Sequence, residues 1–257
     1  MNAPSDIAAF RLPFALGVLL ALLAWELAHP FFASFTHGQK ALKRWGLNAA
    51  VNLGLGAFNA LVVSAVFVGL WAATMGWSES HRVGLSWWLP LSGGWRWLAV
   101  ILLLDVWMYA WHRLAHVLPQ LWRFHRLHHA DREMNVTTAN RFHTVEIIVS
   151  SLLRIPLLAL VGARIEELAV YETMLFAVVQ FQHANIALPE PVDRALRWVI
   201  VTPHLHKVHH SVVCAEADSN FSSLFSWWDR LFHTLRLSDT PHHIVFGVSD
   251  ETHGDKT

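Results

Sequence analysis

From Leu47 to Trp77 the chain runs for about 30 residues without one charged side chain. A helix crosses a bilayer in roughly 20 apolar residues, so this run constrains the fold before anything else does. An earlier run, Leu12 to Leu27, is interrupted only by Glu26 and closed by His29-Pro30. No small-residue cleavage site follows it, so it reads as a retained membrane helix rather than a signal peptide. A third runs from Trp95 to Ala110, with Arg96 at its start and Asp105 inside. Trp87, Trp88, Trp95 and Trp97 gather just before it, as in an interfacial aromatic belt. Thr144 to Ala163 and Leu168 to Phe181 are weaker and carry Glu146, Arg154, Pro156 and Glu172. They fit a re-entrant hairpin or two full spans. The expected fold is all-α: a multi-span membrane bundle of three spans plus a hairpin or two further spans, under a histidine-rich cap.

Composition points the same way. Hydrophobic residues make up 54% and charged residues 15%, against about 25% charged in soluble domains. The 19 basic and 19 acidic side chains cancel, which argues against nucleic acid as a partner. A single cysteine, Cys214, excludes an internal disulfide framework and any CxxC motif. Lys40, Lys43, Arg44, Arg113, Arg123, Arg126, Arg132 and Arg141 fall on one side of the spans. Arg11, Arg82, Arg96 and Arg164 fall on the other. The positive-inside rule then puts the histidine-rich segments, and the chain from Ala184 onward, in the cytoplasm. Asn48, Asn52 and Asn59 are expected to hydrogen-bond neighbouring helices. The tail after Asp239 is expected to be polar and frayed.

The chain holds 18 histidines, and half of them fall in two windows, His112 to His129 and His204 to His210. His112 and His116 are an i, i+4 pair on one helix face. His125, His128 and His129 repeat the spacing of His206, His209 and His210, an i, i+3, i+4 set that can close on one metal or bridge two. His183 stands alone between the windows. Asp105, Tyr109, His112 and His116 form one stripe; a carboxylate at membrane depth usually faces a polar interior, and Asp105 either orients a ligand histidine or makes a helix-packing hydrogen bond. Arg141 and His143 either buttress the site or bind a lipid phosphate. His204 is a ligand or merely a neighbour. His29, His37, His81, His242, His243 and His253 lack a supporting pattern.

Asp105-x3-Tyr109-x2-His112-Arg113-x2-His116, then Leu121-Trp122-Arg123-Phe124-His125-x2-His128-His129, then His206-x2-His209-His210, resemble the fatty acid hydroxylase and sterol desaturase superfamily. Arg141-x-His143-x2-Glu146 resembles the stretch after its second histidine box. Trp228-Asp229-Arg230-Leu231-Phe232-His233-Thr234 resembles its closing motif. Two departures stand out: the central box reads His183-Ala184-Asn185 where two histidines are common, and His233 occupies a usual glycine.

The resemblance implies a membrane oxygenase with a dinuclear centre, generally two iron ions. Its ligands would be His112, His116, His125, His128, His129, His183, His206, His209 and His210, with Asp105, Tyr109 and Asn185 as candidates for orienting them. The residues themselves do not choose the metal, since neutral imidazole suits iron, copper, zinc and nickel, so zinc stays open. The implied reaction is hydroxylation or desaturation of a lipid with O2. No dinucleotide or flavin fingerprint is present, so electrons would come from an external donor protein. The expected organisation is a transmembrane region over 1–94, a catalytic domain over 95–238 and the tail over 239–257. The rival readings are a metal-binding or metal-transporting membrane protein and a catalytically inactive lipid-binding relative.

Overall fold

The computed structural model describes residues 3–248. The chain order is α1 (Ala3–Ala28), α2 (Gln39–Val66), α3 (Val68–His81), α4 (Leu85–Trp88), α5 (Gly93–Val117), α6 (Pro119–His129), α7 (Thr144–Val161), α8 (Ile165–His183), α9 (Glu190–Leu196), α10 (Pro203–His209), α11 (Cys214–Ala217) and α12 (Trp227–Leu231). Only isolated bridges between extended residues occur among the described residues, such as Pro30 with Ile186. Four stretches are long and apolar enough to cross a membrane: Phe10–Ala28, Gln39–Val66, Gly93–Val117 and Thr144–Val161. In the first two only 11% and 17% of the residues are buried. Leu16, Leu20, Val51, Phe58 and Leu61 lie on their exposed faces, an apolar surface that calls for lipid.

The uncharged run does not form one straight helix. It breaks at Phe67, where φ opens to −105°. Hydrogen bonds from Phe67 N to Val63 O and from Trp71 N to Phe67 O, both 2.8 Å, carry the helix across the bend. Phe67 and Trp71 both turn inward, with Met75, Leu104, Leu158 and Tyr171, to build the main core.

α7 and α8 leave a three-residue connection in different directions. α7 packs on α2 and α3, and α8 packs on α1 and α10. Their connection is locked by close backbone approach: a Cβ on Gly84 would lie 2.5 Å from Gly162 Cα. Both glycines hold positive φ, 115° and 73°, where a side chain is strained. Arg96 crosses the same corner, buried, with Nε 2.7 Å from Glu167 and Nη2 donating to Gly162 O.

Asn59 reaches a neighbouring long helix as expected, accepting at Oδ1 from Thr144 Oγ1 at the start of α7 (2.8 Å). The donations of the α2 asparagines go elsewhere: Asn48 and Asn52 donate to Asp131, and Asn59 to Phe142 O. Those acceptors lie in the connection between α6 and α7, because that loop folds back over α2. Arg141 there donates from Nη1 to Asn52 Oδ1 and from Nε to Leu127 O, bracing the last turn of α6. The tail is not frayed where it is described. Phe246 is buried and bridges Ser211, and His242 stacks on Phe31 at 4.2 Å. Residues 249–257, and His253 with them, lie outside the described residues.

Candidate metal centre

Two short helices carry two of the boxes, and each opens on proline at its first turn, where the missing N–H is no loss. On α6, His125, His128 and His129 turn inward; on α10, His206 and His209 do, with His210 at its end. α5 adds His112 and His116 from its last turns, and α8 adds His183 from its last residue. All nine expected residues converge at one end of the bundle, at 9% exposure or less.

They fall into two groups. His112, His116, His125, His129 and His209 each bring one ring nitrogen within 4.8 Å of the others, and His128, His183, His206 and His210 do the same. The tautomers follow from the hydrogen bonds. A carbonyl or carboxylate oxygen only accepts, so its imidazole partner must donate. His112 Nδ1 donates to Phe221 O (2.8 Å), His209 Nδ1 to Ser219 O (2.7 Å), His183 Nδ1 to Val179 O (2.7 Å) and His125 Nδ1 to Glu146 Oε1 (2.8 Å). In a neutral ring the Nε2 of each is then a bare lone pair. Yet His112 Nε2 lies 3.0 Å from His209 Nε2. Two lone pairs cannot hydrogen-bond each other; a cation between them resolves the contact. In the second group the lone pair of His183 Nε2 faces His128 Nε2 at 3.1 Å and His206 Nε2 at 3.0 Å, rings whose own tautomers no oxygen fixes. Two nitrogens bound at about 2.1 Å to one ion stand about 3.0 Å apart when the bonds meet at right angles. The donor set fits a metal in each group.

Burial, followed by the neighbouring rings, pushes His128, His129, His206 and His210 well below the usual imidazole range. Burial alone leads for His209 and brings it down to about 3. These five rings are therefore neutral at pH 7 and ready as ligands.

The candidates for orienting these rings sort differently from the expectation. Of the two readings open to Asp105, the structure shows the helix-packing one. Its oxygens accept from Tyr171 OH, Phe225 N and Trp228 Nε1, tying α5 to α8 and to the closing motif. Asn185 turns away from the centre and brackets Phe32, accepting from its N and donating to its O. Tyr109 bonds Thr234 and stacks on Phe232. His143 caps α7, accepting from Val145 N, and His204 sits 3.8 Å from Asp193 at the edge of the cap, apart from both groups.

Glu146 takes the ring-orienting role, one of the two left open for Asp105. Its signal was present, a carboxylate in an apolar stretch. The carbonyls of Ser219, Phe221 and Val179 left no such signal, since any residue supplies one. Glu26 also does more than end an apolar run: fully buried, it accepts from Trp45 Nε1, Val136 N and Asn185 N. Asp229 accepts from Phe221 N (2.8 Å), Ser222 N (3.0 Å) and Thr234 Oγ1 (2.7 Å). It holds the loop whose carbonyls orient His112 and His209. Lys207 is buried behind the centre, donating to Ala184 O, and burial brings its ammonium down to about 7.

A cavity of about 760 Å³ reaches from His112, His125, His128, His183 and His206 along α5, α7 and α8. Trp111, Phe142, Ile147, Phe176 and Val179 give it apolar walls.

Comparison with known proteins agrees with this geometry. The fatty acid hydroxylase family model matches residues 97–234. The chain is 32% identical to an ornithine lipid hydroxylase of Rhizobium tropici over 55% of this chain and 42% of that protein. It is 25% identical to the alkylglycerol monooxygenase of Homo sapiens over 63% of this chain and 35% of that protein. It is 26% identical to the cholesterol 25-hydroxylase of Rattus norvegicus over 56% and 47%. The chain thus spans less than half the length of each of these curated relatives. No solved structure matches it significantly.

Proposed function

Because the chain belongs to the fatty acid hydroxylase family, we propose that it is a membrane-bound, non-haem di-iron oxygenase. In this reading it hydroxylates or desaturates a lipid, using O2 and electrons from an external donor. The observation that carries the reading is the pair of bare Nε2 lone pairs on His112 and His209, 3.0 Å apart at the head of an apolar cavity. His112, His116, His125, His129 and His209 would hold one ion, and His128, His183, His206 and His210 the other. A bound iron pair supplies the oxidising power toward an unactivated C–H bond. In hydroxylation one oxygen atom enters the lipid, and the other leaves as water after taking up two electrons and two protons.

The chain's own residues do the rest. The loop carbonyls and Glu146 hold the rings in the ligating tautomer. Trp111, Phe142 and Phe176 line the path of an apolar chain and keep water from it. The lipids for which the relatives are named, an ornithine lipid, an alkylglycerol and cholesterol, share a long apolar body, which suits such a cavity. The catalytic unit would be residues 95–238, carried by the membrane region over 1–94.

The arginine and lysine imbalance supports a cytoplasmic side for the histidines, where a donor protein would dock, with α7 and α8 as a pair that would leave and return to that side. A reporter fused at the C-terminus reads as cytoplasmic and one inserted at Gly93 as external; the opposite pattern overturns the orientation. Lipid profiles of cells with and without the chain, grown under labelled O2, test the reaction. Label in a lipid supports hydroxylation, a new double bond without label supports desaturation, and an unchanged profile refutes both.

A further inference from the structure

The cavity that begins at the histidines ends in charge. Arg154 on α7 binds one carboxylate oxygen of Glu172 on α8, and Arg11 on α1 reaches the other from Nη2 at 3.2 Å. All three side chains line the cavity. The Arg154 guanidinium lies over Trp71, 4.8 Å from the ring centre, and its Nη2 meets only the sulfur of Met108 at 3.9 Å. A thioether is a weak acceptor, so the guanidinium keeps donor capacity toward the cavity. Two guanidiniums around one carboxylate leave one positive charge uncompensated. Charge at membrane depth is costly and is normally paired or functional. A clamp between helices needs only one cation for one anion; this one has a cation to spare, Arg11, which lines the cavity with 42% of its side chain still exposed.

The distance to the metal centre is set by the helices. Arg154 lies eight residues along α7 from Glu146, and Glu172 lies eleven along α8 from His183. The helical rise makes these about 12 and 16 Å. An extended alkyl chain, with C–C bonds of about 1.5 Å in zigzag, covers that span in roughly ten to thirteen bonds.

We propose that Arg11, Glu172 and Arg154 form an anchor for a monoanionic lipid head, a carboxylate or a phosphodiester, whose alkyl chain runs to the histidines. One added negative charge neutralises the triad, and the planar guanidinium fork suits either oxyanion. The anchor, rather than the metal centre, then decides which carbon is presented; that last step rests on the oxygenase reading above.

Binding tests the anchor without any turnover. The probes are palmitate, palmitoyl-lysophosphatidylglycerol and hexadecanol, offered at pH 8 to the purified full-length protein in neutral detergent. One or both anions are expected to bind on the order of ten- to a hundredfold more tightly than the alcohol, the scale of one charged hydrogen bond. Whichever anion is preferred identifies the head. Arg154→Gln is expected to erase the preference and Arg154→Lys to keep part of it. Glu172→Gln frees the second guanidinium and is expected to tighten anion binding, whereas a purely structural clamp would only loosen. Equal binding of all three probes, or a preference unchanged in Arg154→Gln, overturns the anchor. If Arg154→Gln fails to fold, Glu172→Gln decides alone, and no gain in anion affinity overturns it. An anchor that behaves as described in a metal-loaded protein that oxidises nothing would instead remove the oxygenase reading.

Discussion

Asp229 touches no candidate ligand, yet its replacement by asparagine is expected to empty half of the metal centre. One carboxylate oxygen accepts from Phe221 N and Thr234 Oγ1, the other from Ser222 N. Asparagine keeps a single oxygen, so one backbone N–H meets an amide donor instead of an acceptor. A hydrogen bond to a charged group is worth about 1.5–3 kcal/mol, and the donor left unpaired is buried. The expected loss is about 3 kcal/mol, a fall in Tm of roughly 6–12 °C for a chain of this size. The Phe221 and Ser219 carbonyls then lose their aim at His112 and His209, which sit 2.8 and 2.7 Å away. Loss of such an orienting group typically weakens metal binding about 10- to 100-fold. The four-histidine group is spared, because His183 takes its carbonyl from Val179 on α8. Metal per chain, measured by mass spectrometry after dialysis against graded chelator, is expected to fall from two toward one. Two ions held as tightly as in the parent protein would refute the argument, as would equal loss of both.

His209→Ala and His183→Ala are expected to strip one ion each, from different groups, and to abolish turnover; metal content of the two variants checks this. Asn185→Ala keeps both ions but loses the bracket on Phe32, so about 1–3 kcal/mol of stability in a thermal melt is expected. The metal-free protein loses stability as pH falls below about 6.5, because the unfolded histidines take up protons that the buried ones, His209 at about 3, refuse. Thermal melts of chelated protein from pH 7.5 to 5.5 follow it, with a flat Tm as the contrary result. His233→Gly is expected to stabilise by about 1–2 kcal/mol, read as a higher Tm, because His233 holds φ 57° with its side chain exposed.

The expectation of glycine at 233 was visible only through the family pattern; the structure supplies its cause in that left-handed backbone. The long helices were legible as apolar runs and eight of the nine histidines by their spacing; His183, which has no spaced partner, was legible only through the family pattern. What was not legible is tertiary. Nothing in the spacing says that Asn52 meets Asp131 across a returning loop, or that Asp105 spends its oxygens on Tyr171, Phe225 and Trp228. Asp105 and Glu146 look alike in sequence, each a carboxylate in an apolar run. Only the direction in which α7 leaves its loop brings Glu146 to His125.

Neither histidine group is complete without the box on α10: the first needs His209, the second His206 and His210. The ribosome makes that box after every long helix, and chains fold from the N-terminus as they emerge. The membrane bundle must therefore be threaded into the bilayer before either ion can be fully enclosed. A truncated product, or a nascent chain stalled before His206, carries six of the nine imidazoles and neither finished group. In the proposed oxygenase, metal loading would then be a checkpoint at the end of synthesis, and O2 chemistry would be withheld from a chain still being inserted.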